Sequence, residues 1–563
     1  MLTNNFCQFV LLKYHFVKDF GRFFKYNLQC FSIGMFLNMK YNASNISFQR
    51  SFTPCIRIVD EAQCANSSIL VNNTVISNFT ASRFPICTIE AGGHLLLDFG
   101  CELSGGIRIV SSLMEPAKIR LRFGESIAEA CGEPNMDHAI HDIVLPLNML
   151  STVDFGNTGF RFVRLDALEG QAKLVNVLAV SLTQKLKQIG SFKCSDQRLN
   201  AIFDTAVHTV RLCIQDYILD GVKRDRLLWG GDLHPSTRAI IPLFGAIDTL
   251  DATLEQLCFN TAEGHFANDH TSYPLWLIMT TYEWYLHSGD NGILKKYGKY
   301  IQSTVKQYLA MVKSNGSIEL QGYVFLDWPS QEDPDGTIAG FYGLFSLALG
   351  AAEKLFKAMH LDTAELQQAR RQIAQAAPKP GSNKSAAAMQ HLAGIADCSS
   401  FLKKNLCRGI STYMGGYIIQ CLPHVSALEL IRRYWGGMLD MGATSFWEDF
   451  DLEWLKNKPT RLDEMPVPGR PSIHADFGRF CYQGLRHSLC HGWASGPVPW
   501  CLQSILGITP LEPGFKRISF KPDLCGLDYA KGTIAVPQGR ISVKLQQGSK
   551  PQIDVPNGIE IEL

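Results

Sequence analysis

The period of the hydrophobic pattern changes twice along this chain, and that change constrains the fold more than any other feature. From about Phe52 to Leu182, short runs alternate apolar and polar residues, as at 119–123 and 160–165, with Gly-Gly, Ser-Gly and Glu-Pro turns between them. An alternation of period two is typical of half-buried strands. Many short strands separated by turns predict a β-sandwich, which we place at residues 39–189.

Near Gly190 the pattern changes to one with helical spacing. Ser195 and Asp196 form a candidate N-cap, and apolar residues then recur every three or four positions. Clear helical patterns cover residues 276–287, 295–312, 340–359 and 363–376. Helices that alternate with long loops over such a length favour a barrel of paired helices, which we place at residues 190–507.

Past Gly507 strand patterns return, at residues 518–520, 532–536, 541–545 and 559–561. A segment of this length makes only a small sheet, which could hardly be stable by itself. We therefore expect residues 508–563 to form a β-sheet domain that packs against the helices.

Composition narrows the range of partners. The 563 residues carry a formal net charge of +1 and contain no basic run. This pattern argues against a nucleic acid or an anionic membrane surface and suits a neutral carbohydrate. The 17 cysteines are odd in number and lack metal-binding spacing, which indicates reduced thiols and a cytoplasmic protein. Nothing in the sequence indicates the oligomeric state.

Residues 1–38 differ from the rest of the chain. They are hydrophobic and aromatic, but charged residues interrupt them every few positions. Because they contain no run of about 18 apolar residues and no clear signal-peptide pattern, we expect neither a membrane helix nor a secretory signal. A second methionine, Met39, opens a more ordinary sequence. We interpret residues 1–38 as an extension or a misplaced start.

The densest cluster of charged residues directly follows the first amphipathic helix. Its notable members are Asp220, Arg224, Asp225, Trp229 and Asp232. Loops carried by rigid elements are where functional sites are usually built. A solvated, self-neutralising charged loop would have the same composition, so both interpretations stay open at this point.

A second cluster places aromatic residues beside carboxylates, with Trp447 next to Glu448. Flat aromatic faces and carboxylates are suitable materials for a sugar pocket. The same residues could also begin a helix, with Thr444 or Ser445 as its N-cap and Glu448 in its first turn. The two interpretations are compatible with each other.

Two shorter stretches give weaker signals. Asp327 and Trp328 stand together in a loop that ends at a proline, and His491 lies in a His-Gly-Trp triplet. A lone histidine is more often structural than functional. Carboxylates matter in pairs because glycosidic cleavage needs one acid to protonate the leaving oxygen and a second carboxylate to activate water or attack directly.

The two clusters resemble motifs of a known family. The first resembles the Asp…Arg-Asp-Glu-Arg-Leu-Gly-Trp-x-Gly-Asp signature of glycoside hydrolase family 78, the bacterial α-L-rhamnosidases. The second is similar to that family's Gly-Ala-Thr-Thr-x-Trp-Glu segment, and the order of strand and helix regions agrees from about residue 50 onward. The resemblance implies an (α/α)6 barrel, or six-hairpin, catalytic domain between an N-terminal β-sandwich and a small C-terminal β-sheet domain.

The resemblance also implies roles for the matching residues. Asp225 falls at the general acid and Glu448 at the general base that activates water, in a mechanism that needs no metal or other cofactor. The positions that bind sugar hydroxyls are Asp220, Arg224, Asp232 and Asp327. The pocket-lining positions are Trp229, Trp328, Trp447 and His491. The implied activity is an inverting exo-hydrolase that releases terminal α-L-rhamnose from oligosaccharides or glycosides.

The first cluster departs from the family pattern at one important position. Asp225 stands where the family commonly has Glu, so its carboxyl group reaches about one methylene less far. A general acid must keep its proton near neutral pH, which burial or a neighbouring carboxylate such as Asp232 would favour. Two alternatives stay open: the same fold and chemistry acting on another sugar, and a carbohydrate-binding protein without activity.

Overall fold

The computed structural model describes residues 46–77, 84–112, 115–133, 142–262, 264–480 and 482–563. Ile46–Leu563 form one compact unit. The interpretation of residues 1–38 concerns a segment outside the described residues.

The N-terminal region is sheet-rich. Its elements are β1 (Phe48–Pro54), β2 (Arg57–Ala65), β3 (Cys87–Ser111), β4 (Ala117–Gly124), the short helix α1 (Ile127–Cys131), β5 (Asp142–Leu147), β6 (Thr152–Glu169) and β7 (Ala172–Gln184). The strands are ordered β1-β7-β3-β6-β4-β5, with β2 paired to β3. Strand β3 runs parallel to β7, and the other pairs are antiparallel. The strands predicted from the alternation at 119–123 and 160–165 are confirmed in β4 and β6.

The sheet has an apolar core of its own, because alternate residues of a strand face the same side. Leu95, Leu97 and Phe99 of β3 are buried together in this core. The ring of Phe160 lies edge-to-face against Phe99 and Phe123, at centroid distances of 6.0 and 5.0 Å. The strand alternation in the sequence thus corresponds to a buried face.

A long helical region follows the short strand β8 (Ser191–Cys194). Its helices are α2 (Gln197–Cys213), α3 (Gly230–Phe244), α4 (Asp248–Phe259), α5 (Tyr273–Ser288), α6 (Asn291–Leu309), α7 (Pro334–Ala358), α8 (Ala364–Ala376), α9 (Lys384–Leu392), α10 (Ser399–Lys403), α11 (Thr412–Ile418), α12 (His424–Asp440) and α13 (Pro497–Trp500). A small hairpin, β9 (Gly478–Arg479) and β10 (Tyr482–Gln483), lies before α13. The four helices predicted from the sequence correspond to α5, α6, α7 and α8.

The predicted N-cap of the first long helix is confirmed. The side chain of Asp196 accepts hydrogen bonds from the backbone N–H groups of Arg198 and Leu199, at 2.8 and 3.1 Å. These two donors have no intrahelical partner, so the cap satisfies them and fixes the start of α2.

Helix α7 is one of the two most apolar long helices in the described part of the chain. Its 25 residues are long and apolar enough to cross a membrane, with an 18-residue window of mean hydropathy 1.2, but 78% of that window is buried inside the protein. At Gly343 an added Cβ would lie 2.5 Å from the carbonyl carbon of Met389 on α9, so the glycine lets the two backbones approach closely. A helix buried on most sides is expected to be hydrophobic all round.

The C-terminal strands are β11 (Ile508–Pro510), β12 (Arg517–Phe520), β13 (Tyr529–Val536), β14 (Gly539–Gln546), β15 (Gln552–Asp554) and β16 (Glu560–Glu562). They form two sheets, ordered β11-β12-β16 and β15-β14-β13-β8. The second sheet therefore includes β8, which pairs antiparallel with β13. Phe192, Ile534 and Val543 belong to the same apolar core as the helices, so the C-terminal sheet packs against the helical region as expected.

Candidate active site

A pocket of about 490 Å³ lies where the loop between α2 and α3 meets the loop that follows α12. Its lining residues are Asp220, Asp225, Trp229, Asp232, His270, Tyr273, Tyr323, Phe325, Trp328, Glu448, His491 and Trp493. Seven of the ten residues singled out from the sequence line this one pocket. The two clusters, which are far apart in the chain, thus meet in space.

The loop between α2 and α3 is held by hydrogen bonds of its own backbone. The Asp220 carboxylate accepts from the backbone N–H of Leu227 at 2.9 Å, and the Asp220 carbonyl accepts from the N–H of Gly492 at 2.8 Å. Gly221 also forms a β-bridge with His491. The loop is therefore folded back on itself and joined to the segment that carries His491, which argues against a freely solvated charged loop.

Arg224 connects the two carboxylates assigned to acid and base. Its Nη1 donates to Asp225 Oδ1 at 2.8 Å, and its Nη2 donates to Glu448 Oε2. Its Nε donates to the carbonyl oxygen of Arg486 at 2.6 Å, which fixes the plane of the guanidinium. Because one rigid fork binds both carboxylates, their separation depends on the position of this single side chain.

Glu448 lies in an irregular loop, so the possibility of a helix beginning at Thr444 or Ser445 is wrong. The hydroxyl groups that would cap such a helix have partners distant in sequence: Thr444 accepts from the N–H of Glu102, and Ser445 donates to the carbonyl of Leu489. The backbone N–H of Glu448 donates to Ser488 at 3.0 Å. Tertiary hydrogen bonds therefore replace the local helical ones.

Asp232 and His491 lie side by side at the inner part of the pocket. Asp232 is in the first turn of α3, and His491 Nε2 is 3.7 Å from its Oδ1 and 3.9 Å from the Oδ2 of Asp220. Burial, with Arg224 nearby, lowers the pKa of His491 well below its usual value. The imidazole is therefore neutral near pH 7 and contacts these carboxyl groups as a polar neighbour.

Burial shifts the titration of three carboxyl groups upward. It raises the pKa of Asp220 to about 7 and that of Glu448 to about 8, in the latter case against the opposing effect of Arg224. Burial and then the neighbouring Asp220 and Glu448 raise the pKa of Asp232 well above its usual value. A cluster of carboxyl groups with raised pKa values is typical of sites that transfer protons.

Aromatic rings make up the other wall, and the sequence interpretation missed several of them. The rings of His270 and Tyr273 stack at 4.4 Å, and Tyr323 lies edge-on to His270 at 5.1 Å. The unselected lining residues are His270, Tyr273, Tyr323, Phe325 and Trp493. His270 and Tyr273 lie in a polar and aromatic segment at the start of α5, which was the available signal for them. This segment contains no cluster of carboxylates, so the sequence interpretation did not select it.

Three of the ten predicted residues are not among the pocket-lining residues. Arg224 binds two of the lining residues, Asp225 and Glu448. Trp447 is fully buried, with its ring edge-on to Phe450 at 5.4 Å. Both side chains thus lie outside the lining of the pocket.

Asp327, the third, is also fully buried. Its Oδ1 accepts from the N–H of Ser330 at 3.1 Å, and its Oδ2 accepts from the hydroxyls of Ser385 and Ser411 at 2.6 and 2.8 Å. Because these bonds use both of its oxygens, the carboxylate joins three segments of the protein and has little capacity left for a sugar hydroxyl.

Two groups of side chains in the described part of the chain have ligand atoms close enough to hold a metal ion. One is His424, Asp523 and Cys525; the other is Glu125, Glu129 and His474. Neither group lines the pocket. In the buried second group, the ammonium of Lys223 already lies 3.0 Å from both glutamates, which supplies the positive charge that a cation would otherwise provide.

Two segments of the chain match family models. Residues 187–342 match the bacterial alpha-L-rhamnosidase 6 hairpin glycosidase domain, and residues 507–563 match the bacterial alpha-L-rhamnosidase C-terminal domain. A curated alpha-L-rhamnosidase from Alteromonas sp. (strain LOR) is 22% identical over 534 residues, which cover 83% of this chain and 55% of that protein. The chain thus spans about half the length of this relative.

Solved structures of rhamnosidases share the fold. A family 78 rhamnosidase of Bacillus sp. GL1 superposes with a TM-score of 0.68 and 21% identity, over 86% of this chain and 53% of that one. A rhamnosidase from Klebsiella oxytoca with rhamnose bound gives 0.64 and 20%, over 82% of this chain and 97% of that one. Together, the two matched domains and the shared fold confirm that this chain resembles the bacterial α-L-rhamnosidases of glycoside hydrolase family 78.

Proposed function

We propose that this protein is an exo-acting glycoside hydrolase that releases terminal α-L-rhamnose with inversion of configuration. The observation that carries the proposal is the binding of Asp225 and Glu448 to the two arms of one guanidinium at a single pocket. The rhamnosidases with the same fold, one of them solved with rhamnose bound, support the choice of sugar. A pocket lined by aromatic rings suits one terminal sugar better than the middle of a polymer.

In this mechanism Asp225 donates its proton to the leaving oxygen while Glu448 takes a proton from the attacking water. The Asp225 side chain is 22% exposed and that of Glu448 is 4% exposed, which suits an acid near the departing group and a base inside the pocket. Asp220, Asp232 and His491 would bind sugar hydroxyls, with Trp229 and Trp328 against the ring. Arg224 would hold acid and base in register. Asp327 and Trp447 would support this set from outside the lining.

The wider architecture belongs to the same proposal. We place an N-terminal β-sandwich at residues 39–189, an (α/α)6 barrel at 190–507 and a C-terminal β-sheet domain at 508–563. The fourteen cysteines in the described ranges are all free thiols, which supports a reducing compartment such as the cytoplasm.

Release of p-nitrophenol from p-nitrophenyl α-L-rhamnoside tests the reaction and its two carboxylates together. Asp225→Asn and Glu448→Gln should each lower kcat by about 10²- to 10⁴-fold, the range for loss of a general acid or base. Asp216→Asn and Glu453→Gln make the same chemical changes at exposed positions near the same two loops and should leave kcat unchanged. Equal turnover by all five proteins would refute the assignment of the site.

The configuration of the first sugar released tests inversion. Proton NMR during the first minutes should detect the β-anomer of L-rhamnose before mutarotation, whereas first release of the α-anomer would mean retention. If the parent cleaves no rhamnoside, a panel of other glycosides tests the same chemistry on a different sugar. Binding of rhamnose without cleavage of any glycoside would favour a carbohydrate-binding protein.

A further inference from the structure

A buried cluster of charges joins the N-terminal sheet to the loop that carries Asp225. The Lys223 ammonium lies 3.0 Å from Glu125 Oε2 and 3.0 Å from Glu129 Oε1. It also donates to the carbonyl oxygens of Leu485 and His487, at 3.1 and 2.8 Å. The three charged residues are at most 2% exposed. We call Lys223, Glu125 and Glu129 the clamp.

The two carboxylates of the clamp are fixed by backbone around α1. Glu129 Oε2 accepts from the N–H of Glu125 at 2.8 Å, and the N–H of Glu129 donates to the hydroxyl of Ser126, the N-cap, at 3.1 Å. Glu125 Oε2 accepts from the N–H of Leu489 at 2.7 Å. The N-terminal sheet thus presents a rigid pair of acceptors to Lys223.

The backbone on either side of Lys223 is held as well. The carbonyl of Val222 accepts from the N–H of Gly159 on β6 at 2.8 Å. The next residue, Arg224, is the one that binds Asp225 and Glu448. A single peptide unit therefore separates the clamp from the arginine that connects the two reacting carboxylates.

The segment 485–489 extends the same arrangement to the base. Lys223 binds its carbonyls, Arg224 binds the carbonyl of Arg486, and Ser488 accepts from the backbone N–H of Glu448. The two loops of the pocket are thus both attached to Lys223 or to Arg224, the next residue in the sequence.

Stability alone gives a weak reason for such a cluster. Removing three charges from water is unfavourable, and well-packed apolar side chains of similar volume often stabilise a core equally well or better. Directional hydrogen bonds from an ammonium can instead fix several backbone segments at defined positions, and misplacement by about 1 Å can lower a rate about 100-fold.

We propose that Lys223, held by Glu125 and Glu129, is a positioning residue that aligns Asp225 and Glu448 through Arg224, so that the N-terminal sheet forms part of the active site. The proposal rests on the hydrolase function proposed above. It assigns to the sheet a direct effect on turnover in addition to its packing.

Three variants separate alignment from stability. Lys223→Met removes the ammonium that pairs with both buried carboxylates and should lower both Tm and kcat. The triple variant E125Q/E129Q/K223M has no buried charge in the clamp and should regain most of the Tm, while kcat stays about 100-fold below the parent with little change in KM. Lys296→Met removes an ammonium that also bridges two carboxylates, Asp251 and Glu255, outside the pocket, and should leave kcat unchanged.

The leaving group gives a readout that a structural role would not change. Misalignment of the acid should reduce cleavage of methyl α-L-rhamnoside more than cleavage of 2,4-dinitrophenyl α-L-rhamnoside, whose leaving group needs little protonation. The triple variant should therefore show the same leaving-group dependence as Asp225→Asn. A triple variant that regains both Tm and kcat would overturn the proposal.

Amide hydrogen exchange tests the clamp independently of turnover. Lys223→Met should accelerate exchange in residues 219–229 and 485–491, whereas Lys296→Met should not. If the parent cleaves no glycoside of the panel, the hydrolase assignment fails, and hydrogen exchange alone then tests whether the clamp orders these two segments. Unchanged exchange in both segments of Lys223→Met would overturn the clamp even in an active enzyme.

Discussion

At the scale of single residues, the pocket keeps ionisable carboxyl groups where little water reaches them. Asp220 is the clearest case, because burial raises its pKa from 3.8 to about 7 despite hydrogen bonds from the backbone N–H groups of Leu227 and Gly221. Between these two values the folded protein holds a proton that the unfolded chain has released. The contribution of Asp220 to the free energy of unfolding must therefore fall as the pH rises from about 4 to 7.

Asp220→Asn should reveal this dependence. The amide oxygen can still accept from Leu227, but the side chain carries no charge at any pH. We expect a Tm close to that of the parent at pH 4 and a Tm several degrees higher at pH 8, where the parent must ionise a buried group. Thermal unfolding followed by circular dichroism at both pH values checks this. A Tm difference that is the same at both values would contradict the raised pKa.

In the proposed mechanism, the base Glu448 should set the acidic limb of the pH profile. Glu448 accepts a proton only when ionised, and its pKa is about 8, so kcat/KM should fall about tenfold per pH unit below that value. Arg224→Gln removes the opposing positive charge and should move this limb to higher pH. Initial rates from pH 5 to 10 measure it. Arg198→Gln, which removes a surface guanidinium paired with Asp440, is the control and should leave the limb in place.

The sequence predicted site residues best where a residue type suited to the chemistry also stands in a family-like motif. Asp225 and Glu448 were selected from carboxylate clusters, and they do share one pocket. Asp327 was selected by its place beside Trp328, yet its carboxylate accepts from Ser330 of its own loop and from Ser385 and Ser411 of two distant segments. Which partners a side chain meets after folding depends on segments distant in sequence, and no local pattern records them.

At the scale of elements, two glycines of α7 have opposite surroundings. At Gly343 an added methyl group would meet the backbone of α9, whereas at Gly350 it would lie 3.3 Å from the guanidinium of Arg370, which can move. Gly343→Ala should therefore lower the free energy of unfolding by about 1–3 kcal/mol through overpacking. Gly350→Ala should raise it by up to about 1 kcal/mol, because alanine favours a helix.

Urea unfolding of the two variants and the parent measures both effects. Since the substitutions are identical and lie on one helix, a difference in sign isolates the contact with α9. If both variants were stabilised equally, the close approach of α7 and α9 would be refuted.

Long helices were predicted better than short elements. The periodic segments of α5 to α8 repeat their signal over several turns, so their existence follows from the sequence alone. The loop around Glu448 has the residues of a helix start but no helix, because Thr444 and Ser445 bond to Glu102 and Leu489. A capping motif indicates a helix only where no tertiary partner competes for its hydroxyl groups.

At the scale of the whole molecule, the C-terminal sheet and the helices share one apolar core, which predicts that they unfold together. All nine tryptophans lie between Trp229 and Trp500, so their fluorescence reports only on the helical region. Ile541→Ala, a buried change on β14, should nevertheless lower the stability measured by tryptophan fluorescence by about 2–5 kcal/mol.

Lys544→Ala is the matched control on the same strand. Its side chain is exposed, so the change should stay within about 0.5 kcal/mol. An unaltered fluorescence transition in Ile541→Ala, with loss of the C-terminal sheet detected by proteolysis, would mean that the sheet unfolds separately.

The order of the three regions was visible in the sequence because the hydrophobic period changes from strand to helix and back to strand at the two boundaries. The membership of β8 in the C-terminal sheet was not, because a four-residue strand carries little pattern and its partner stands near the other end of the chain. Which distant strands pair depends on how their side chains pack in the folded core, and the local composition of a strand does not indicate its partner.

This pairing has a consequence for synthesis on the ribosome. Ser191 and its partner Thr533 on β13 are 342 positions apart. At about 5–20 residues per second, the first strand waits some tens of seconds for the second to be translated. Until then the apolar side chains of the helices that await the last sheet remain uncovered. Folding of the helical region can be completed only after β13 has been translated, so we expect the nascent chain to be a client for chaperones.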